Sequence, residues 1–584
     1  MQRLGRLRIT TYRLLSAGCT LALLLAVACG ASATATPGAK ATSTPVATKA
    51  SAPAATVVAT TVPSSSAVNP GKLTWMTAGW GNGRFTYNFS TSGGGNFYGK
   101  ILHGYLIATN QKSELLPGIA TRWEISKDGK TWTVTIRDGA KFHDGKAITA
   151  EDVWWSWMHY WGKDASGSAV ERATQGTTQA TARIVDKIEQ LGPGQVSITL
   201  TIPDASFAVG VLSEASPPWY GALPKRPKVQ DAGQEAVYDK NPIAAGAMKL
   251  VRYVPADLMA YERFDDYYYQ PKNGLPEDRR VRFKSLDLRL VPEEATRVAA
   301  IRAGEADIAP VSLGGKKQVE AGGGRIMFGP EGAILRARIY GCWKTQFPCS
   351  DKRVRQALAY AIDKEVIRDK LFGGPEVFQV KGWSDVTPST IGYSPDLDPF
   401  PFDPAKARQL LAEAGYPDGK GFGKLILNTF LSPAMPFLPE SAQLAADFWK
   451  RELGLDVAVK VGDIATIKNQ ALTEELHGQL TWEDQQARLD AATTMRTSYG
   501  TPGHGSRRHE SQELFDLTQK TLGVIDPSER PVAFNNLYRR LRDEAYAISI
   551  GYMNLPWAVG PRVVAWQPWP LSSDPANLHE ITLK

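Results

Sequence analysis

Histidine and cysteine are scarce in this chain of 584 residues, which holds seven histidines and four cysteines. Two of the cysteines, Cys19 and Cys29, lie close to the start, so the rest of the chain lacks the cysteine density of a disulfide-rich scaffold. The scattered histidines form no metal-ligand pattern, and we predict no metal site. Serine-hydrolase, zinc-protease and phosphate-loop motifs are also absent from the sequence, so we predict no catalytic residue and no cofactor.

Acidic residues are absent from residues 1–70, and this absence explains most of the net charge of +8. Six basic side chains lie in that segment, which leaves +2 on the remaining body. A nucleic-acid-binding protein carries clustered lysine and arginine on its folded part, so the sequence argues against that class. The length suits roughly two to four domains.

A long hydrophobic run is missing as well. The apolar segment Leu14–Ala28 is too short to span a bilayer comfortably, and arginines precede it. We interpret residues 1–29 as an export signal. Its end, Ala26-Val27-Ala28-Cys29-Gly30, resembles a bacterial lipobox with Cys29 as the lipidated residue, although Ala26 stands where that motif prefers leucine. Ordinary cleavage by signal peptidase is the alternative.

Residues 30–70 contain neither aromatic nor acidic residues and consist largely of Ala, Thr, Ser and Pro. Such a segment buries too little apolar surface to offset the entropy of ordering it. We therefore predict a disordered tether whose ends lie about 35 Å apart. A tether of this kind lets a globular body reach a membrane partner from a surface anchor.

The most informative stretch is Trp123–Ser156, WEISKDGKTWTVTIRDGAKFHDGKAITAEDVWWS. Gly129 suits a tight turn, and the alternation of apolar and polar residues from Thr131 to Ile136 predicts a half-buried strand. Thr149 followed three residues later by Asp152 predicts a capped helix. His143-Asp144 can be read as an acid–base pair, but we interpret it as a turn whose side chains bond backbone groups.

This stretch resembles the family 5 extracellular solute-binding proteins, the receptors of peptide importers, almost residue for residue. Further segments resemble the same family, among them Asn241–Tyr268, Leu286–Val311 and Glu544–Pro568. The resemblance implies an α/β fold of the type II periplasmic-binding-protein kind, with two lobes joined by a double-crossing hinge and an extra subdomain in the first lobe. The implied crossings lie near Val311–Leu313 and Ala545–Ile548.

The resemblance also implies domain boundaries. The first lobe takes residues 71–95, 240–311 and 545–584, its extra subdomain takes residues 96–239, and the second lobe takes residues 312–544. Within these, we predict that Leu286–Val311 forms a strand, a helix and a short strand. The helix buries Val298, Ala299 and Ile301, and Gly304 lies just beyond its end as a C-cap. An amphipathic helix is predicted over Asp351–Gly373, and another over Asp403–Gly415 with Asp403 as its N-cap.

Peptide-binding relatives hold the peptide ammonium with a carboxylate in a W-x-x-D-x-x-D-P-like run. The similar region here is His477–Thr493, in which Trp482 matches the aromatic residue and Asp484 or Asp490 is the candidate carboxylate. The D-P pair is missing, and Gln485-Gln486-Ala487-Arg488 intervenes; solvated loop acids are the alternative. The predicted ligand-binding residues are Trp482, Asp484, Asp490, Trp383 and Tyr98.

Two cysteines remain in the body, Cys342 and Cys349, seven positions apart. Outside the cell a disulfide between them is plausible, and free thiols are the alternative. Two cysteines without nearby histidine make only half of a zinc site.

We therefore interpret the chain as an extracytoplasmic, lipid-anchored, non-catalytic and monomeric receptor that delivers a ligand to the permease of an ATP-binding cassette importer. Peptide is the first ligand hypothesis, because it is the common ligand class of the family that the sequence resembles. Oligosaccharide is the second, because 16 tryptophans include several in loops. An exported hydrolase and a sensory surface protein are the alternatives from other classes.

Overall fold

The computed structural model describes residues 71–80, 85, 97–112, 114–161, 182–214, 238, 240–432, 434–500, 507–571 and 577–584. The predicted signal with Cys29, and the predicted tether, lie outside the described residues. The strands are β1 Lys72–Thr77, β2 Ile107–Thr109, β3 Leu115–Pro117, β4 Ala120–Ile125, β5 Thr131–Ile136, β6 Val185–Gly192, β7 Gln195–Leu200, β8 Met248–Val254, β9 Leu258–Arg263, β10 Ser285–Leu290, β11 Ile308–Pro310, β12 Arg325–Ile339, β13 Phe378–Gln379, β14 Lys424–Thr429, β15 Asp456–Val461, β16 Leu480–Gln486, β17 Ala547–Val559, β18 Val563–Ala565 and β19 Thr582–Leu583. The α-helices are α1 Phe97–Leu102, α2 Ala150–Trp161, α3 Glu294–Ala303, α4 Lys316–Ala321, α5 Lys352–Tyr360, α6 Lys364–Ile367, α7 Pro404–Glu413, α8 Leu438–Leu453, α9 Ile464–Leu472, α10 Ala492–Tyr499, α11 Gln512–Leu522 and α12 Arg530–Asp543.

A mixed sheet of 11 strands runs through the part of the chain that the structure describes. Its strand order is β15-β14-β16-β12-β17-β11-β1-β10-β9-β8, with β13 paired to β17. The strands β4-β5-β7-β6 form a separate antiparallel sheet. This mixture of helices with parallel and antiparallel strands confirms the predicted α/β class.

Two large hydrophobic cores lie along the main sheet, and the long strands β12 and β17 contribute to both regions. In β17, Trp557 and Val559 belong to the core built on β1, β9 and β10, whereas Ile550 and Leu555 belong to the core built on β14, β15 and α8. The pairing of β12 with β17 is interrupted by an irregularity between Gly329 and Ala333. The change from one core to the other therefore falls beside this irregularity, and the predicted crossing points stay a prediction.

The stretch Trp123–Ser156 folds as its pattern predicts. Strand β5 spans Thr131–Ile136 and alternates half-buried threonines with buried apolar residues. The backbone N–H of Thr149 donates to Asp152 Oδ2 at 2.9 Å, and the N–H of Asp152 donates to Thr149 Oγ1 at 3.3 Å. This reciprocal pair is the predicted cap of α2.

Two helix predictions need correction. In α3, Val298 and Ile301 are buried as predicted, together with Arg297 and Ala300. Ala299 is exposed, because it lies on the side of the helix opposite to these four residues. The helix predicted over Asp351–Gly373 is broken after Tyr360. Asp363 accepts hydrogen bonds from the N–H groups of Glu365 and Val366, so it caps a second helix instead of continuing the first.

Candidate functional site

The candidate site begins at the carboxyl ends of three neighbouring strands, β15, β14 and β16. Strand β14 pairs in parallel with both of the others, so the carboxyl ends of all three point to the same edge of the sheet, and β16 continues four residues beyond the end of β14. Ligands of open α/β sheets bind outside such carboxyl ends. Three apolar side chains are exposed here: Leu431 (79%), Val461 (58%) and Phe437 (45%). A folded protein that leaves these groups uncovered at one edge offers an apolar surface for a ligand.

Charged side chains meet this edge at the end of β16. Asp484 is half-buried, and burial raises its pKa, while a hydrogen bond from Ser432 opposes that rise. Lys468 of α9 is exposed and interacts electrostatically with Glu483 and Asp484. The edge therefore combines apolar surface with titratable groups, as binding sites for small polar ligands do.

A buried cluster of ionic side chains lies behind this edge. Arg336 is fully buried and contacts Asp385, and its Nε and Nη2 donate to Glu483 Oε1 at 3.0 Å and 2.8 Å. Arg508, also buried, donates from Nη1 to Asp385 Oδ2 at 2.8 Å. Burial alone would raise the pKa of Asp385, but Arg336 and Arg508 outweigh it and hold that pKa well below its usual range.

Glu483 belongs to the same cluster and pairs with a second arginine of β12. Arg338 Nη2 lies 2.8 Å from Glu483 Oε1. Burial would raise the pKa of Glu483, but Arg338 and Arg336 lower it on balance. Both acids of the cluster are thus held in their charged form, and they fix the arginines of β12 against the strand β16.

A second buried ionic group joins distant parts of the chain. Asp490 Oδ2 lies 2.7 Å from Arg530 Nη2, which also contacts the hydroxyl of Ser206. Asp204 forms an ion pair with Arg496 of α10, with side-chain exposures of 2% and 1%. These contacts connect the segment after β7 to α10 and α12 across the fold.

The structure places the predicted ligand-binding residues as follows. Asp484 lies at the exposed edge, whereas Asp490 faces Arg530 and already has its countercharge. Trp482 is 0% exposed and donates from Nε1 to Ser441 Oγ at 2.8 Å within the core. Trp383 and Tyr98 are 1% and 0% exposed in two further cores. The three aromatic rings therefore have almost no surface through which they can touch a ligand in this conformation, because strand pairing and loop packing bury them.

Other predicted features lie away from this edge. Cys342 and Cys349 form a disulfide, with Cα atoms 5.2 Å apart. The ring of His143 bonds the backbone of Gly246 at 3.0 Å, and burial lowers its pKa to about 4. Asp144 accepts from the N–H of Lys146 at 3.3 Å. His143 and Asp144 are therefore turn residues that bind backbone groups, as we interpreted them.

Sequence reasoning missed the apolar part of the site. Leu431 and Phe437 lie in the loop between β14 and α8, where no helical or strand periodicity assigns a side chain to a face. Phe437 also adopts a left-handed backbone with φ of 62°, which is costly for a bulky residue. The available signal is the composition of the segment Phe430–Phe437, which mixes large apolar residues with two prolines directly after a strand.

The comparison with protein families is decisive. The family described as "Bacterial extracellular solute-binding proteins, family 5 Middle" matches residues 114–505, well over half of the chain. The chain belongs to this family. Family 5 proteins are extracytoplasmic binding proteins. In the described part of the chain, no helix combines the length and apolar character needed to cross a membrane.

Curated relatives include glutathione-binding protein GsiB of Pectobacterium atrosepticum, 30% identical over 325 residues, covering 55% of this chain and 57% of that protein. The dipeptide-binding protein of Escherichia coli K12 is 27% identical over 354 residues, covering 57% of this chain and 60% of that protein. The chain thus spans little more than half the length of these relatives. Among solved structures, DppA of Helicobacter pylori in complex with peptide STSA superposes with a TM-score of 0.70 at 19% identity, covering 88% of this chain and 98% of that one. That likeness supports the family 5 fold.

Proposed function

We propose that the protein is the substrate-binding component of an ATP-binding cassette importer and that it binds peptides at the carboxyl edge of β14–β16. One observation carries the proposal: Leu431, Val461 and Phe437 are exposed at the edge where this sheet type binds ligands, beside the charged groups of β16. Peptides need apolar surface for their side chains and polar groups for their ends. The names of the curated relatives, which bind a dipeptide and glutathione, support this ligand class.

The proposal includes movement between two lobes with the boundaries given by the sequence. Strands β12 and β17 run between the two large cores, so a change of twist at the irregularity near Gly329 reorients one core against the other. A ligand held by both lobes shifts this equilibrium only through its preference for the closed form.

Anchoring is a further part of the proposal. Residues 1–29 direct export, Cys29 carries a lipid, and residues 30–70 hold the folded receptor near its permease. Mass spectrometry of the N-terminal peptide tests this part: a lipid-modified Cys29 is expected, and an unmodified N-terminus would contradict it.

Native mass spectrometry of the protein purified from its host tests the ligand class. A ladder of peptide masses is expected, whereas a ladder of hexose masses would favour the oligosaccharide alternative. Leu431→Asp is expected to lower the occupancy, because it places a charge on the apolar surface. Val532→Asp is the matched control, since Val532 is 63% exposed on α12. Equal occupancy in the two variants would contradict the assignment of the site to this edge.

A further inference from the structure

Arg488 stands out among the arginines that follow β16. Its side chain is half-buried, and within the described residues its Nε is buried without a hydrogen-bond partner. No ion pair to Arg488 occurs in that part of the chain either, although Arg496, Arg508 and Arg530 all have acidic partners. The Nε atoms of Arg338, Arg496 and Arg508 are unpartnered in the same way, so the missing acidic partner is what distinguishes Arg488. A guanidinium without such a partner can pair with a carboxylate or another anion.

The backbone around Arg488 is held in place, so its position is not that of a loose loop. Thr390 Oγ1 donates to the carbonyl of Arg488 at 2.8 Å, and the N–H of Ile391 donates to the carbonyl of Leu489 at 2.8 Å. The next residue, Asp490, is tied to Arg530 at 2.7 Å. The segment is therefore fixed on both sides, while the guanidinium remains without an acidic partner.

Gln485, three residues before Arg488, adds hydrogen-bond donors. Its Oε1 accepts from Arg336 Nη2 at 3.3 Å, which orients the amide oxygen toward the arginine. With the oxygen so engaged, the amide NH₂ group remains, and it can only donate hydrogen bonds. A donor pair of this kind suits a carboxylate or another anion and repels an ammonium group.

Charges of both signs surround Arg488. Besides Arg488, the cations Arg336, Arg338, Lys468, Arg508 and Arg530 lie on or behind the edge, together with the acids Glu331, Asp385, Glu483, Asp484 and Asp490. Asp385 and Glu483 are engaged by the arginines of the buried cluster. Asp490 is engaged by Arg530, and none of these acids forms an ion pair with Arg488 within the described residues, so its positive charge is available to an anionic group.

Gln485 and Arg488 occupy defined positions of the W-x-x-D-x-x-D-P-like run. Counted from Trp482, the first acidic position of that run is Gln485 and the second is Arg488. An amide and a guanidinium thus stand where that run has two carboxylates. We propose that this site is reversed in charge and that Gln485 and Arg488 bind an anionic group, such as a carboxylate, at the point where peptide-binding relatives hold an ammonium group.

This inference rests on the proposed function, because it assigns a charge to one end of the peptide. Its test uses three probes that differ only at that end: succinyl-trialanine, acetyl-trialanine and unmodified trialanine, whose amino ends are anionic, neutral and cationic. Isothermal titration measures the affinity of the ligand-free exported chain for each probe. We expect the succinylated probe to bind at least about tenfold more tightly than unmodified trialanine, the effect of one hydrogen bond to a charged group.

Variants locate the effect. Arg488→Gln keeps most of the side-chain length and is expected to remove most of the preference for the succinylated probe. Gln485→Asp combined with Arg488→Gln is expected to reverse the preference in favour of unmodified trialanine. Arg408→Gln is the control, because Arg408 is an exposed arginine of α7 paired with Glu452, and its affinities should equal those of the wild type.

The outcomes separate the two proposals. Tighter binding of unmodified trialanine by the wild type, or an unchanged preference in Arg488→Gln, overturns the charge reversal and leaves peptide binding intact. Failure of the succinylated probe to bind the wild type also overturns the charge reversal. Failure of all three probes contradicts peptide binding as well.

Discussion

Replacing Asp385 by asparagine tests how much the buried cluster of Arg336, Asp385, Glu483 and Arg508 contributes to the stability of the fold. The carboxylate of Asp385 touches Arg336, lies 2.8 Å from Arg508 Nη1 and accepts from Ser384 Oγ at 2.8 Å. Its side chain is 1% exposed, and both arginines are 0% exposed. Asparagine has nearly the same shape but leaves two buried guanidinium groups short of one negative charge.

Removing one partner from a buried ion pair costs about 3–5 kcal/mol, because the remaining charge stays buried without compensation. We expect the free energy of unfolding of Asp385→Asn to fall by this amount. Asp396→Asn is the matched control: Asp396 pairs with Arg539 at 3.0 Å, but the two side chains are 44% and 52% exposed. An exposed pair contributes less than about 1 kcal/mol.

Urea unfolding at neutral pH measures both variants, followed by tryptophan fluorescence and by circular dichroism. Coincidence of the two probes justifies the conversion of midpoint shifts into free energies. If Asp385→Asn shifts the midpoint no more than Asp396→Asn does, then the cluster contributes no more than an exposed pair, and the reasoning from burial is refuted.

Three further predictions concern other parts of the fold. Burial lowers the pKa of His143 from 6.5 in the unfolded chain to about 4 in the folded protein, so its contribution to stability is present above pH 6.5 and is lost as the pH falls toward 4. In His143→Gln, the free energy of unfolding should therefore fall by about 3 kcal/mol less over this pH range than in the wild type. Urea unfolding at a series of pH values measures the difference. Replacing Cys342 and Cys349 together by serine opens a link across seven positions and should cost about 2–3 kcal/mol in the same assay, and no loss relative to the wild type would contradict a closed disulfide. Asp204→Asn leaves Arg496 buried without its acid, so hydrogen exchange should accelerate in both α10 and the segment after β7; acceleration in only one of them would argue against a contact that couples the two.

The elements predicted well from the sequence are those whose signals are local. Gly304 adopts φ of 75° at the end of α3, and Asp403 accepts from the N–H of Lys406 at 2.9 Å at the start of α7. Both follow from the conformational freedom of glycine and the short acidic side chain of an N-cap residue. The break after Tyr360 carries the same kind of signal at Asp363, and a continuous apolar stripe concealed it.

The candidate site was predicted less well, because its side chains depend on contacts between distant residues. Asp490 meets Arg530, 40 positions away, and Asp204 meets Arg496, 292 positions away. No periodicity in a single chain reveals such pairs. Trp482 shows the opposite problem: it fits a ligand-binding motif in the sequence, but its side chain is buried and bonds Ser441 in the core.

Two residues, Gln485 and Arg488, restrict the function of this protein more than its fold does. A family 5 scaffold brings the carboxyl end of β16 to the edge of the sheet whatever the ligand, since strand pairing with β12 and β14 fixes that strand. The sign of the charge presented there is then decided by Gln485 and Arg488, side chains that the strand pairing does not specify. A receptor can therefore exchange a cationic ligand end for an anionic one without rebuilding its core, because Arg336 keeps Gln485 oriented and the backbone of Arg488 stays bonded to Thr390.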